Sequence, residues 1–212
     1  MHPTDSIPAA EITGLILAGG RGSRMGGVDK GLQHFNGVPL ALHTLARLSP
    51  QVGSVLVNAN RNLASYASFG AAVLPDAAGM GDFAGPLAGF ATGLAHCPTP
   101  YLLTVPCDTP LFPADLAARL AGALVQQGAD LAVAAALEAD GRLRPQPVFC
   151  LLGVHLLPSL LHFTQAGGRK IDAWTAQHRV AYIPFDLPGD SSQAFANANT
   201  LAELHLLEAR QP

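Results

Sequence analysis

Short apolar runs alternate with amphipathic stretches along most of the chain. The apolar runs predict buried strands at residues 15–18, 54–58, 72–74, 101–105, 131–135, 147–151 and 181–185. Hydrophobic positions at helical spacing predict helices at residues 40–48, 87–95, 115–127 and 201–209, the third beginning at Asp115. Because strands and helices alternate, we expect an α/β fold, a Rossmann-like three-layer domain with a mostly parallel twisted sheet.

Composition indicates one folded domain. Of the 212 residues, 49% are hydrophobic and only 13% are charged, which favours a large core over disorder. We expect a flexible N-terminal tail over residues 1–11 and a single domain over residues 12–212. The net charge of −3 gives no reason to expect a nucleic acid or membrane partner. Three widely spaced cysteines, with no leader-like pattern, favour a cytoplasmic protein, which we expect to be a monomer.

The first predicted strand leads into a glycine-rich loop that carries three cations. Arg21, Arg24 and Lys30 lie among the glycines of residues 19–31. Inward-facing amides and clustered cations suit a polyphosphate. The loop fails the Walker A pattern, because Asp29 rather than glycine precedes Lys30, and it misses the dinucleotide fingerprint by one residue.

Three segments of this loop resemble the signature of nucleotidyltransferases, which move a nucleoside monophosphate from a triphosphate to an acceptor. The segments are Leu17-Ala18-Gly19-Gly20, Arg24-Met25-Gly26 and Lys30. The longer string at residues 24–31 is similar to the molybdenum cofactor guanylyltransferase family, whose members attach GMP to molybdopterin. The resemblance extends over nearly the whole chain.

The resemblance implies a fold of the nucleotide-diphospho-sugar transferase type and a specific reaction. GMP would pass from Mg-GTP to the terminal phosphate of molybdenum-molybdopterin, with release of pyrophosphate. The N-terminal half would bind GTP and the C-terminal half the acceptor. Mg²⁺ is the implied cofactor, which Mn²⁺ can replace, and transient contact with cofactor-insertion or target proteins is implied as well.

An acidic residue follows the strand predicted at residues 101–105. Asp108 lies between prolines at the end of this strand, where ligands bind in open α/β sheets. One carboxylate suffices for Mg²⁺ when substrate phosphates supply further oxygens. The resemblance assigns Asp108 this metal role, although capping of the following turn also explains an aspartate there.

Two further polar positions follow strands. Asn58 offers donors and acceptors for a base or ribose, and a carboxylate at Asp76 can accept from guanine N1–H and N2–H₂ or from a ribose. Turn formation is the alternative for both residues. Gly85, Pro86 and Leu87 match a family segment and would shape the pocket through their backbone.

The expected sites fall into three groups. Catalysis is assigned to Arg24, Lys30 and Asp108, with Asp108 as metal ligand. Nucleotide binding is assigned to Leu17, Ala18, Gly19, Gly20, Lys30, Asn58, Asp76, Gly85, Pro86, Leu87 and Asp108. Acceptor binding is assigned to Arg144, Arg169, Lys170, Asn197 and Asn199, and helix capping or metal binding are alternatives for Asn199.

Three other functions remain open at this point. A cytidylyltransferase for the same cofactor, or another nucleotidyltransferase, would use the same loop, although cytidylyl relatives tend to read Leu-Ala-Ala-Gly. A non-catalytic nucleotide-binding regulator has less need of a metal-binding Asp108. A pyridine-nucleotide oxidoreductase is weakened by the failed dinucleotide fingerprint.

Overall fold

A computed structural model describes residues 6–20, 28–77, 85–138, 140–198 and 200–209. Its strands are β1 (Ile12–Leu17), β2 (His34–Phe35), β3 (Val38–Pro39), β4 (Ser54–Asn58), β5 (Ala72–Leu74), β6 (Tyr101–Pro106), β7 (Leu131–Leu137), β8 (Leu143–Gly153) and β9 (Val180–Phe185). Its helices are α1 (Leu40–Leu48), α2 (Leu63–Ala67), α3 (Pro86–His96), α4 (Leu116–Gln126), α5 (Leu157–Gln165), α6 (Ile171–Thr175) and α7 (Leu201–Ala209).

Seven of the strands form one sheet in the order β5-β4-β1-β6-β8-β7-β9. Strand β8 runs antiparallel to both of its neighbours, and the remaining pairs are parallel. The expected mostly parallel α/β sheet is therefore confirmed. The chain leaves β1 toward β4 and β5 and then returns to β6 on the other side of β1, which creates a topological switch point between β1 and β6.

Helices cover both faces of the sheet, as a three-layer domain requires. On one face, Leu48 of α1 and Leu120 of α4 belong to a large apolar cluster with the strands. On the other face, Phe90 of α3, Leu160 of α5 and Trp174 of α6 form a second cluster. Because both faces are covered, the central strands are buried and largely apolar, apart from Thr13 and Thr104, instead of alternating with exposed polar residues.

A third, smaller cluster joins the end of the chain to the segment that follows Lys30. Phe35 and Leu40, at the β2–β3 hairpin and the start of α1, pack with Leu204 and Leu207 of α7. The C-terminal helix therefore packs against a segment that lies more than 150 residues earlier in the sequence.

The element predictions were correct for most of the sheet and incomplete elsewhere. The β2–β3 hairpin and helices α2, α5 and α6 were missed, because these pieces are short or begin near proline. Asp115 does precede α4, but its side chain makes no capping hydrogen bond and instead lies 3.7 Å from Arg119. No helix among the described residues is long and apolar enough to cross a membrane.

Arg119 ties α4 to the segment that follows β9. Its Nη1 donates to both carboxylate oxygens of Asp190, at 2.8 and 3.0 Å, and its Nη2 donates to the carbonyl oxygen of Pro184 at 2.6 Å. The guanidinium also stacks on Phe185, 3.7 Å from the ring centroid. Burial opposes ionisation of Asp190, but the bonds from Arg119 and the Leu187 amide outweigh it and lower the pKa of the carboxyl.

We expect Arg119→Met to destabilise the fold by about 1–3 kcal/mol at pH 7, because it removes the charged hydrogen bonds to the partly exposed Asp190 carboxylate. A lowered folded-state pKa stabilises above the unfolded value of about 3.9 and loses that effect as the pH falls through the folded value. The difference from wild type should therefore shrink at pH 3 in urea denaturation. Arg142→Met, at an exposed arginine, is the control and should change little. Equal stability of Arg119→Met and wild type at pH 7 would contradict this account.

Candidate active site

Four strands end side by side at one edge of the sheet. Leu17, the last residue of β1, pairs with Asn58 of β4 on one side and with Pro106 of β6 on the other. Asn58 in turn pairs with Leu74 of β5. The segments that follow these strands therefore meet at the switch point, although they lie up to 90 residues apart in the sequence.

The loop after β1 continues the sheet for one residue before it turns. The amide of Ala18 donates to the Asn58 carbonyl at 2.8 Å. Gly19 then passes so close to the asparagine side chains that a Cβ would lie 3.0 Å from Asn60 Nδ2. The carbonyl oxygen of Gly20 accepts from Arg61 Nη2 at 3.2 Å. Arg24 and the rest of residues 21–27 lie outside the described part of the chain.

Asp76 is held by two asparagine side chains. Asn58 Nδ2 donates to one carboxylate oxygen at 2.8 Å and Asn60 Nδ2 to the other at 2.7 Å. Asn60 Oδ1 also accepts from the Asp76 amide at 2.8 Å. Asn58 is almost fully buried, and its Nδ2 donates to the Leu74 carbonyl as well. Its N–H groups are thus committed to the protein, so Asn58 serves this edge mainly by orienting Asp76.

Helix α3 begins beside the same strand ends. Gly85 adopts φ +60° and ψ −149°, a conformation that suits glycine, immediately before Pro86. Gly89 packs so tightly that a Cβ would lie 2.6 Å from Asn58 Oδ1. The side chain of Leu87 is buried in the core. Leu87 could therefore face a ligand only through its backbone, and contact of Gly85, Pro86 and Leu87 with a nucleotide stays a prediction.

Lys30 and Asp108 form an ion pair at the switch point. Lys30 Nζ lies 3.2 Å from Asp108 Oδ2, and each side chain is about one-fifth exposed, at 21% and 19%. Lys30 begins a single 3₁₀ turn, and Asp108 lies two residues after the end of β6. Both residues were predicted from the sequence to lie at one phosphate site, and the fold brings them together across 78 positions.

The donor set at Asp108 fits a divalent metal that is bound together with its substrate. Among the described residues, no group of three or more His, Cys, Asp or Glu side chains could hold a metal by itself. Mg²⁺ commonly takes one or two carboxylates and completes its shell with phosphate oxygens and water. The neighbouring Cys107 is no competitor, because burial raises the pKa of its thiol and keeps it protonated.

The acceptor residues expected from the sequence are only partly brought together. Asn197 is near the centre, since its Oδ1 accepts from Thr109 Oγ1 at 2.7 Å, next to Asp108. Arg144 lies at the start of β8 and pairs with Asp140 at 3.0 Å and Glu138 at 3.6 Å. These acids raise the pKa of Arg144 and offset part of its charge.

The remaining acceptor residues lie between α5 and α6 or outside the described chain. Arg169 Nη1 donates to the carbonyls of Thr164 and Gly168, at 2.9 and 2.8 Å, and Lys170 is exposed. No contact of either with Lys30 or Asp108 is seen among the described residues. Asn199 lies outside those residues.

Asn62 and Tyr66 contact the site, but neither residue was predicted from the sequence to do so. Asn62 Nδ2 donates to Asp29 Oδ2 at 2.9 Å, and the Tyr66 hydroxyl donates to Asp29 Oδ1. An asparagine ahead of a short amphipathic segment was the available signal, but it does not reveal a partner more than 30 residues away.

A doubly wound sheet with a glycine loop, a lysine and acids at its switch point defines a nucleotide-binding domain of the nucleotidyltransferase class. Residues 14–181 match the family model of the MobA-like NTP transferase domain. The chain belongs to this family, and the expectation of a nucleotidyltransferase enzyme is confirmed.

Relatives of high identity carry a more specific name. Proteins named molybdenum cofactor guanylyltransferase are 70% identical in an Acidovorax species (95% of this chain, 97% of the relative) and 61% identical in Bordetella pertussis (96% and 100%). The family resemblance drawn from residues 24–31 is thereby confirmed.

Solved structures agree on the fold. A molybdopterin-guanine dinucleotide biosynthesis protein A from Archaeoglobus fulgidus superposes with a TM-score of 0.73 at 21% identity, covering 93% of this chain and 97% of its own. The 4-diphosphocytidyl-2C-methyl-D-erythritol synthase of Anaerococcus prevotii gives 0.70 at 11% identity, covering 93% and 96%. The nucleotide-diphospho-sugar transferase type of fold is confirmed.

We expect Asn58→Asp to cost about 3 kcal/mol of stability near pH 8, because it sets two carboxylates against each other in a buried site. Burial and like charge raise the pKa of such a carboxyl above its unfolded value of about 3.9. The variant therefore loses little below pH 4 and progressively more as the pH rises. Thermal unfolding between pH 4 and pH 8 measures this trend. Asn58→Ala is the control, and an identical pH trend in both variants would refute the explanation.

Proposed function

We propose that this chain transfers GMP from GTP to the terminal phosphate of molybdenum-molybdopterin, forming molybdopterin guanine dinucleotide and pyrophosphate. The observation that carries the proposal is the Lys30–Asp108 pair, with its 3.2 Å contact beside the glycine loop. Relatives that are 60–70% identical over nearly their whole length bear the name of this activity. A regulator or an oxidoreductase is therefore disfavoured.

The nucleophile in this reaction needs no general base. A phosphate monoester has a second pKa of about 6, so it is largely dianionic at neutral pH. Its oxygen attacks the α-phosphorus in line, and pyrophosphate leaves. The protein then has to position both substrates and neutralise the charge that develops on the leaving group.

Lys30 and Asp108 supply these effects in our proposal. Lys30, together with Arg24, holds the β- and γ-phosphates. The amides of Gly19 and Gly20 face the nucleotide, because the Ala18 amide, expected to join them, is bonded to the Asn58 carbonyl. Asp108 holds Mg²⁺, which Mn²⁺ can replace. When bound, the metal neutralises phosphate charge. An ion pair between Lys30 and Asp108 keeps both side chains pointed toward this space before substrate arrives.

Asp76 is our candidate for choosing guanine. Its two oxygens are fixed by Asn58 and Asn60 and retain lone pairs that can accept from guanine N1–H and N2–H₂. Cytosine offers no such adjacent donors, so this geometry favours a guanylyl over a cytidylyl donor. A contact to the ribose is the alternative role for Asp76.

The acceptor would bind along the C-terminal half. Asn197 lies beside the Asp108 segment, and Arg144, Arg169, Lys170 and Asn199 would add donors or charge for an anionic pterin phosphate. We also propose a cytoplasmic monomer that contacts cofactor-insertion or target proteins transiently. Its three cysteines form no disulfide, in keeping with a reducing compartment.

Pyrophosphate release with Mg²⁺ and molybdenum-molybdopterin should be seen with GTP and not with CTP, ATP or UTP. Each triphosphate is assayed separately, and the acceptor is omitted as control. Release with CTP alone would keep the site and overturn the donor. No release with any of the four would overturn the proposed function.

We expect Lys30→Ala and Asp108→Ala each to lower kcat by roughly 10²–10³, the scale of losing one group that stabilises the transition state. Steady-state kinetics with GTP measures the loss, and circular dichroism checks that each variant is folded. The control is Arg142→Ala, an exposed arginine with no assigned role. A folded variant whose kcat stays within threefold of wild type would remove that residue from the catalytic group.

A further inference from the structure

The short segment after β4 contacts three separate parts of the candidate site. Asn60 binds Asp76, and Arg61 binds the Gly20 carbonyl. Asn62 and Tyr66 both donate to the carboxylate of Asp29. Residues 60–66 thus join the loop after β1, the turn at Lys30 and the acid at the end of β5.

The contact with Asp29 is the most enclosed of the three. Asp29 is 8% exposed and Tyr66 is fully buried. Each carboxylate oxygen of Asp29 has its own donor, from Asn62 on one side and Tyr66 on the other. A buried carboxylate is costly unless its oxygens are satisfied, so these two bonds determine where the Asp29 side chain can lie.

The backbone of Asp29 in turn fixes the Lys30 turn. Asp29 is the residue from which the 3₁₀ turn at Lys30–Leu32 starts. Its carbonyl accepts from the Leu32 amide at 3.2 Å and from Gln33 Nε2 at 3.3 Å. An anchored Asp29 therefore sets the position from which the neighbouring Lys30 side chain extends toward Asp108.

Tyr66 also limits the turn by close packing. A Cβ at Gly31 would overlap the Tyr66 hydroxyl, so the backbone of the turn lies directly on that group. Asn62 adopts a left-handed φ of +51° at the start of α2, which asparagine tolerates better than most residues. The two donors are held by their own backbone and packing, independently of any ligand.

We infer that Tyr66 and Asn62 are positioning residues for the transfer reaction, which act through Asp29 to hold Lys30 at the β- and γ-phosphates. This inference rests on the proposed function. Neither residue is expected to touch substrate. Their removal should leave the nucleoside and α-phosphate contacts intact and loosen only the contact made by Lys30.

A positioning role for Tyr66 and Asn62 predicts different effects on the binding of GTP and of GMP. Lys30 would bind phosphates that GTP has and GMP lacks, so a displaced lysine weakens GTP binding selectively. General damage to the site would weaken both nucleotides equally. The ratio of the two Kd values is therefore a readout that a purely structural role does not move.

The test uses Tyr66→Phe, which keeps the ring, and Asn62→Gly, which keeps the left-handed φ while removing the amide. Calorimetry with Mg²⁺ and no acceptor measures binding of GTP and GMP separately. We expect GTP to bind about tenfold more weakly and GMP to change less than twofold. Tyr182→Phe, the same change at an exposed tyrosine of β9, should match wild type.

A double-mutant cycle between Tyr66→Phe and Lys30→Ala tests the same inference by kinetics. Tyr66→Phe should lower kcat about tenfold in the wild-type background and cause no further loss in Lys30→Ala. Multiplicative losses, an equal fall in GTP and GMP affinity, or wild-type behaviour of Tyr66→Phe would each overturn the inference. The proposed function fails in a different way, when the unmutated protein binds GTP but releases no pyrophosphate with the acceptor.

Discussion

The placement of β1 between β4 and β6 is the constraint on which the site depends. Because β1 pairs in parallel with both, the segments after all three strands leave the sheet at the same edge. The chain passes from β1 to β4 on one side and later to β6 on the other side. The segments that follow β1 and β6 therefore leave the sheet in opposite directions, and a crevice opens between them. The glycine loop, Asp76 and Asp108 meet there without any long-range motif in the sequence that joins them.

Uncharged amide and hydroxyl groups orient two of the carboxylates at this edge of the sheet. Asp76 is oriented by the amides of Asn58 and Asn60, and Asp29 by Asn62 and Tyr66. An amide or hydroxyl fixes a carboxylate without cancelling its charge, which leaves the oxygens able to accept from a ligand. Asp108 differs, because its partner Lys30 is itself a cation suited to phosphate. In the proposed reaction, the metal would bind Asp108 and the triphosphate would bind Lys30, two side chains that are already aligned.

Much of the fold and part of the site could be predicted from local pattern. Strands at residues 54–58 and 72–74 and helices at residues 40–48 and 201–209 were predicted with their observed bounds. Strand β8 was expected at residues 147–151 but spans Leu143–Gly153, because its first half pairs with β7 beyond the core and carries exposed residues. Its antiparallel direction also left no local trace, since pairing partners rather than propensity decide strand direction.

The sequence by itself determined the class of domain, the phosphate loop and the identity of the charged residues, because these follow from periodicity, glycine and motif spacing. The tertiary structure decided which of these residues act on one another. In the fold, the Asn58 amide donates to Asp76, and Lys30 pairs with Asp108. Arg144 pairs with Asp140 in the segment between β7 and β8, and Tyr66 donates to Asp29 next to the Lys30 turn. Apart from the local Arg144–Asp140 pair, these contacts join positions 18 to 78 residues apart, and the order of strands in the sheet makes them neighbours.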